Sequence, residues 1–295
     1  MLNYLLLALV PAAFAANPVI ARALAPVIEP ATLTFLRWSF SALIIGAFAF
    51  WRGREERWTA SPRLMIEIVL LGVIGMGFCA YAAFAGVKTA TATTVGLIYA
   101  STAALVAAWE IVRGRERVSL ALSAGLVLSL GGVVMLLTKG NPLALADMAV
   151  GTGELWAIAG TLGWVLYTIA MRGRAGAVTP LALFTIMSLA ASVSVLPVMM
   201  TEIGHAPPPP LDGVFGIWIT ALVLVTGVGA FLGYNLSLKR NGPILTAASL
   251  ALTPLYIAGM AVVLLGEEVR WYHGAAIVMV TGGLGFVNWS RLSKR

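Results

Sequence analysis

The chain has 295 residues, 60% of them apolar and 11% charged, with a formal net charge of +7 at pH 7 and a mean hydropathy of +0.95. A soluble domain carries about a quarter charged residues, so this composition excludes a water-soluble protein even though the length alone would suit two such domains. The lone cysteine, Cys79, excludes a disulfide framework and a cysteine-based metal site.

Ten apolar stretches of about 20 residues, the length needed to cross a hydrocarbon core of about 30 Å, lie at 3–21, 32–51, 65–87, 90–111, 119–138, 153–171, 180–200, 214–236, 243–265 and 271–290. Backbone amides in lipid must bond within their own segment, so these spans are expected to be helices. The alternating polarity of barrel strands is not visible. Ala13-Phe14-Ala15 resembles a signal-peptide cleavage site. No Lys or Arg precedes the apolar stretch, however, and cleavage would delete the counterpart of the 153–171 span, so the first span is expected to stay.

Taken in chain order, the first span carries Asn17-Pro18, a polar pair expected to interrupt the helix near its outer end. The second carries Arg37, the one basic residue inside an apolar span. Its side chain is a candidate to attract a substrate carboxylate or phosphate; the alternative is that it snorkels to the outer interface or pairs with Glu29. The third span holds Gly72, Gly75 and Gly77, which let helices approach closely, with Tyr81 in its outer half. Tyr99 lies near the middle of the fourth. In the sixth, Trp164 and Tyr167 share a face at i, i+3. Pro207 to Pro210 make a stiff joint before the eighth span, which carries Gly227, Gly229 and Gly233. Pro254, near the middle of the ninth, removes a backbone hydrogen bond and frees a carbonyl, so it is a candidate hinge. The Gly131-Gly132 and Gly282-Gly283 pairs of the fifth and tenth spans suit helix contacts within the fold or across a dimer.

The spans repeat. An offset of 151 places Lys88 on Lys239, Thr102 on Thr253, Glu116 on Glu267, Val118 on Val269 and Gly131-Gly132 on Gly282-Gly283. Upstream, an offset of 150 places Phe14 on Trp164, Arg22 on Arg172 and Pro30 on Pro180. Two units follow, 1–150 and 151–295. Five spans is an odd number, so the second unit must enter the membrane from the opposite side. The expected fold is an all-α polytopic membrane protein of ten transmembrane helices, built as two inverted five-helix repeats.

Basic residues set the orientation. With the N-terminus inside, fourteen face the cytoplasm: Arg52, Arg54, Arg57, Arg63, Arg113, Arg115, Arg117, Arg172, Arg174, Lys239, Arg240, Arg291, Lys294 and Arg295. Four face outward: Arg22, Lys88, Lys139 and Arg270. Both termini are therefore expected in the cytoplasm, in the cytoplasmic (inner) membrane. The excess charge is spread over the joints, which does not suit a nucleic-acid partner.

These residues resemble the EamA type of the drug/metabolite transporter superfamily. The cues are Pro30 followed by Phe35-Leu36-Arg37, the Gly86-Val87-Lys88-Thr89-Ala90-Thr91-Ala92 run, Pro254, Leu264-Leu265-Gly266-Glu267, and the Gly282-Gly283 pair. Ala103 stands where the repeat would place a partner for Pro254, a departure from symmetry. The resemblance implies a ten-helix bundle in which spans 1–4 and 6–9 enclose a substrate path, with spans 5 and 10 peripheral. It also implies movement of small organic metabolites, often export of amino acids or related compounds. Small multidrug-resistance transporters, distant relatives, use a glutamate in their first helix; the comparable region here is Ala12-Ala13-Phe14-Ala15-Ala16.

No carboxylate falls at the middle of a span: Glu67 and Glu110 lie within spans but near their cytoplasmic ends, and the other ten fall in or beside joints. A membrane-embedded acid is where coupling chemistry would be sought. His205 and His273 show no ligand spacing, and no phosphate-binding glycine loop, nucleophile elbow or HExxH motif occurs. Neither an enzyme, a cofactor nor a metal is expected. Tyr99, Trp164, Tyr167 and Tyr81, with Asn17 and Arg37, are the expected substrate-binding residues: aromatic walls with a few orienting polar groups. The reading is a secondary carrier of a small organic solute, lying in the lipid bilayer as a monomer or homodimer. A flippase for a lipid-linked substrate is the alternative, ahead of a non-transporting receptor or structural subunit.

Overall fold

The protein, here as a computed structural model, is described over residues 2–53, 58–114, 119–141, 150–171 and 178–292. Among the described residues all regular structure is helical. The helices are α1 (Leu2–Leu24), α2 (Pro30–Arg52), α3 (Pro62–Thr89), α4 (Ala92–Val112), α5 (Leu120–Leu137), α6 (Thr152–Ala170), α7 (Pro180–His205) and α8 (Gly213–Gly242). Gly242, at φ 77° and ψ 167°, turns the chain directly into α9 (243–265). The series ends with α10 (Trp271–Leu292). Seven of these, α1 to α5 with α7 and α8, are long and apolar enough to cross a membrane. Several joint residues of the charge and repeat arguments, Arg54, Arg57, Arg115 to Val118, Arg172, Arg174, Lys294 and Arg295, lie outside the described residues.

The surface suits lipid rather than water. Leu43, Phe50, Trp51, Val112, Leu120, Val127 and Val263 are 69% to 89% exposed, a spread of large apolar side chains that a soluble monomer does not present. Inside, small residues set the spacing. The main helix pairs join an early helix to a late one: α2 with α7, α5 with α10, α3 with α7, α3 with α6, α1 with α8, α1 with α9, and α4 with α9. Exchanging the first five helices with the last five turns the α1–α8 pair into the α6–α3 pair and leaves α2–α7, α4–α9 and α5–α10 as they are.

Glycines make three of these pairs close. A Cβ on Gly153 of α6 would stand 2.6 Å from the Gly86 carbonyl and 2.7 Å from the Ala90 amide. A Cβ on Gly283 of α10 would stand as near, 2.6 Å, to the Gly125 carbonyl of α5, and Gly132 lies against Ala276 and Val280. The paired glycines of these two helices therefore serve a contact within the fold, where small residues let backbones meet. In α3, Gly72 lies against the Met187 backbone of α7.

Two expectations about helix breaks change. α1 stays helical through both Pro11 and Pro18, so Asn17-Pro18 does not interrupt it. Ala15, Pro18, Val19 and Ile20 are buried around that turn, and packing holds it helical despite the missing amide. Conversely, α4 does break, at Ser101 between Ala92–Ala100 and Thr102–Val112. Its counterpart in α9 is a 3-10 turn at Leu250–Leu252 just before Thr253–Leu265, with Pro254 in the first turn of the new helix. Proline accounts for the second break. In the first, Ser101 Oγ donates to the Ile98 carbonyl at 2.6 Å and Thr102 Oγ1 to the Tyr99 carbonyl at 2.7 Å. Hydroxyls thus satisfy the carbonyls near the break, which lipid would otherwise leave at a cost of several kcal/mol.

Candidate functional site

The middle of the bundle is organised by two wide helical turns. α3 is a π-helix over Gly72–Phe78 and α8 over Leu222–Gly229, positions about 150 residues apart and so equivalent under the offset read from the sequence. Such widened turns leave backbone carbonyls without their usual partner and are frequent at functional sites. Adjacent side chains of α2 supply donors to both. Trp38 Nε1 donates to the Met76 carbonyl at 2.8 Å, and Arg37 Nη2 donates to the Thr226 carbonyl at 3.1 Å. Met76 and Thr226 are each the fifth residue of their wide turn.

Arg37 is 7% exposed; it neither snorkels to an interface nor pairs with Glu29. Its Nη1 donates to Asn17 Oδ1 at 2.8 Å, and the guanidinium lies 4.4 Å from the Trp38 ring centroid and 5.9 Å from that of Phe84. Glu29 instead accepts from Lys88 Nζ at 2.8 Å. Arg37 projects inward because α2 turns its buried face, with Leu33, Thr34, Trp38 and Ser41, toward the core, and helical spacing puts residue 37 on that face.

The expected aromatic residues divide. Tyr99 and Tyr167 meet the same stretch of α3: the Tyr99 hydroxyl donates to the Cys79 carbonyl at 2.7 Å, and the Tyr167 ring packs on Gly75. Trp164 stacks on Tyr167 with centroids 4.8 Å apart. Gly160 makes room for the Tyr99 hydroxyl, which a Cβ there would strike. Tyr81 stands apart, edge-on to Trp156 at 5.4 Å, beside the small cluster of Ala31, Val195 and Met199. Asn17 joins Arg37. Pro254 is buried at the start of the second segment of α9; three residues on, Ile257 packs against Gly96 of α4.

One end of the bundle is laced together. Glu202 of α7 accepts from the Ala31 and Thr32 amides at 2.9 and 2.8 Å and from Thr32 Oγ1 at 3.0 Å. Glu267, just after α9, accepts from the Ala92 and Thr93 amides at 2.7 and 3.3 Å and from Thr93 Oγ1 at 2.9 Å. Each carboxylate thus caps the N-terminus of a helix from the other half, where orphan amides and the helix dipole favour an anion. Arg22 Nη1 reaches the Val87 and Lys88 carbonyls, and Thr89 and Thr152 hydroxyls meet at 3.2 Å. At the opposite end Asn241 Nδ2 reaches the Asn3 carbonyl at 3.3 Å.

Trp38, Ser41, Thr226 and Glu202 were not among the residues expected from sequence, and Glu267 stood out there only as part of the repeat and of the family resemblance. π-turns have no sequence code, and a glutamate that caps a distant helix looks like an ordinary joint residue. The Pro-Ala-Thr and Thr-Ala-Thr starts of α2 and α4 were the available signal. Among the described residues no group of three metal-ligating side chains occurs.

The pattern of the EamA-like transporter family matches residues 1–138 and again 151–289. An uncharacterized transporter of Archaeoglobus fulgidus is 25% identical over 142 residues, 48% of this chain and 47% of its own. The match thus spans about half the length of that curated relative. A solved crystal structure of a protein superposes on all of this chain and 98% of its own, with a TM-score of 0.64 at 19% identity, a likeness of fold. With the family pattern matched twice along nearly its full length, this chain belongs to the EamA-like transporter family.

Proposed function

We propose that the protein is a secondary carrier, independent of ATP, that passes small organic metabolites across the cytoplasmic membrane by alternating access and exports amino acids or related compounds. The observation that carries this reading is the paired arrangement at mid-bundle. Wide turns in α3 and α8 and breaks in α4 and α9 recur at equivalent places of the two halves, while Glu202 and Glu267 lace one end. Discontinuous helices in corresponding positions of inverted repeats are where carriers place their site, and they are where a helix can bend.

The units are 1–150 and 151–295, five spans each, related by a pseudo-two-fold in the membrane plane. That relation accounts for helix pairs that map onto themselves when the halves are exchanged. Charge bias makes the Lys88 end external and both termini cytoplasmic, so the laced state is closed to the outside. Arg37 and Asn17 contribute the polar side of the solute path, and Tyr99, Tyr167, Trp164 and Tyr81 its aromatic side; Pro254 acts as the hinge in α9. The test is a solute-accumulation screen in liposomes, with and without an imposed pH gradient. Saturable movement of at least one small organic solute supports the proposal; a leak equal to that of protein-free liposomes for the whole panel would overturn it.

A further inference from the structure

Arg37 offers five N–H donors in a planar fork, and two of its nitrogens are engaged, Nη1 by Asn17 Oδ1 and Nη2 by the Thr226 carbonyl. Its Nε is buried with no partner. Nε and Nη2 share one edge of the fork, the edge that accepts both oxygens of a carboxylate. One turn along α2, Ser41 Oγ is also buried without a partner, although a helical serine usually bonds back to the carbonyl four residues before it. Ser41 lies against Gly227, the residue after Thr226. Both orphan atoms therefore sit on one face of α2, opposite the same turn of α8.

Charge points the same way. Among the described residues no carboxylate lies within ion-pair reach of Arg37. A buried guanidinium without a counter-charge costs several kcal/mol, and the two aromatic faces of Trp38 and Phe84 recover only part of that. They do hold the plane of the fork.

We propose that this face of α2 is a carboxylate site: the Nε–Nη2 edge of Arg37 takes the two oxygens of a solute carboxylate, and the Ser41 hydroxyl donates to one of them. The inference rests on the carrier reading and deepens it, assigning the subsite that holds the carboxylate of the solute. Nη2 carries two N–H groups and already donates to the Thr226 carbonyl, so a solute held on this edge adjoins the wide turn of α8. A lipid phosphate offers similar oxyanion chemistry. The Arg fork takes either oxyanion by two points, so the arms of the experiment separate the two sources.

The test uses the full chain in phosphatidylcholine nanodiscs, reading thermal unfolding by tryptophan fluorescence. The probes are phenylalanine and benzoate, each against its amide. The acids are expected to raise the unfolding temperature and the amides not to. Arg37→Lys keeps the charge but loses the fork and is expected to weaken acid binding about tenfold or more. Ser41→Ala removes an orphan hydroxyl, so it should fold as well as the parent while binding acids about three- to tenfold more weakly. Equal shifts from acids and amides, or parental affinity in both variants, would overturn the site. A shift produced by added phosphatidylglycerol alone, with none from the acids, would overturn the solute assignment in favour of lipid. Counterflow in liposomes is scored separately. Uncharged solutes moving with no preference for acids would sink the carboxylate site and leave the carrier standing. No movement of any solute would sink the carrier, and the acid-dependent shift would still decide the site.

Discussion

Replacing Glu202 by glutamine perturbs the laced end while nearly preserving volume. The carboxylate now accepts three hydrogen bonds from the first turn of α2 at 2.8 to 3.0 Å. The amide keeps one acceptor oxygen and turns an NH2 toward the donors of the other, so at least one backbone amide loses its partner. The negative charge facing the helix N-terminus is lost as well. Hydrogen bonds to charged groups contribute about 1.5–3 kcal/mol each, and the dipole adds about 0.3–1 kcal/mol. Glu202 is partly exposed, so water compensates some of this, and a net loss of about 2 kcal/mol is the working figure. If the bonds exist only in the closed state, the closed-to-open ratio falls about 30-fold. Spin labels on cysteines at Val27 and Leu211, both exposed on joints at that end, report the change in a Cys79→Ala background. The parent should give one distance population, and Glu202→Gln a second, longer one. Adding Glu267→Gln should shift the balance further by a similar amount, since the two caps share no partner. Superimposable distributions for parent and double variant would refute the idea that these caps hold the end shut.

Three further outcomes are expected. Cysteine labelling from outside should reach a probe at Asp212 and not one at Glu56, a joint residue outside the described part of the chain; reversed labelling would overturn the orientation. The carrier should equilibrate its solute without a proton gradient, and Glu67→Gln and Glu110→Gln should leave any gradient-driven accumulation in place; loss of that accumulation alone would make those acids the coupling sites. Gly160→Ala should lower the unfolding temperature sharply, because its Cβ meets the Tyr99 hydroxyl, with part of the loss restored by Tyr99→Phe. Independent, additive effects of the two changes on thermal unfolding would argue against that contact.

The helical, membrane-embedded class of this chain was legible from its residues because lipid leaves little choice. A 20-residue apolar run with no water to satisfy its amides must be a helix, and the offset of about 150 read from the sequence also separates the two wide turns. Arg37, Asn17 and Tyr99 could be named as candidates because polar groups inside apolar spans stand out against their surroundings. What these residues touch was decided only by tertiary structure. Arg37 reaches Asn17 and the Thr226 carbonyl because α2 is wedged between α3 and α8, and its chain neighbour Trp38 faces the other wide turn. Pro18 and Ser101 make the same point from opposite directions. Proline ought to break α1 and does not, since buried neighbours hold the turn; Ser101 carries no break signal, yet α4 breaks there. Local propensities amount to a kcal/mol or a few per residue, whereas packing against several helices at once is worth more. Where the two disagree, the neighbours win.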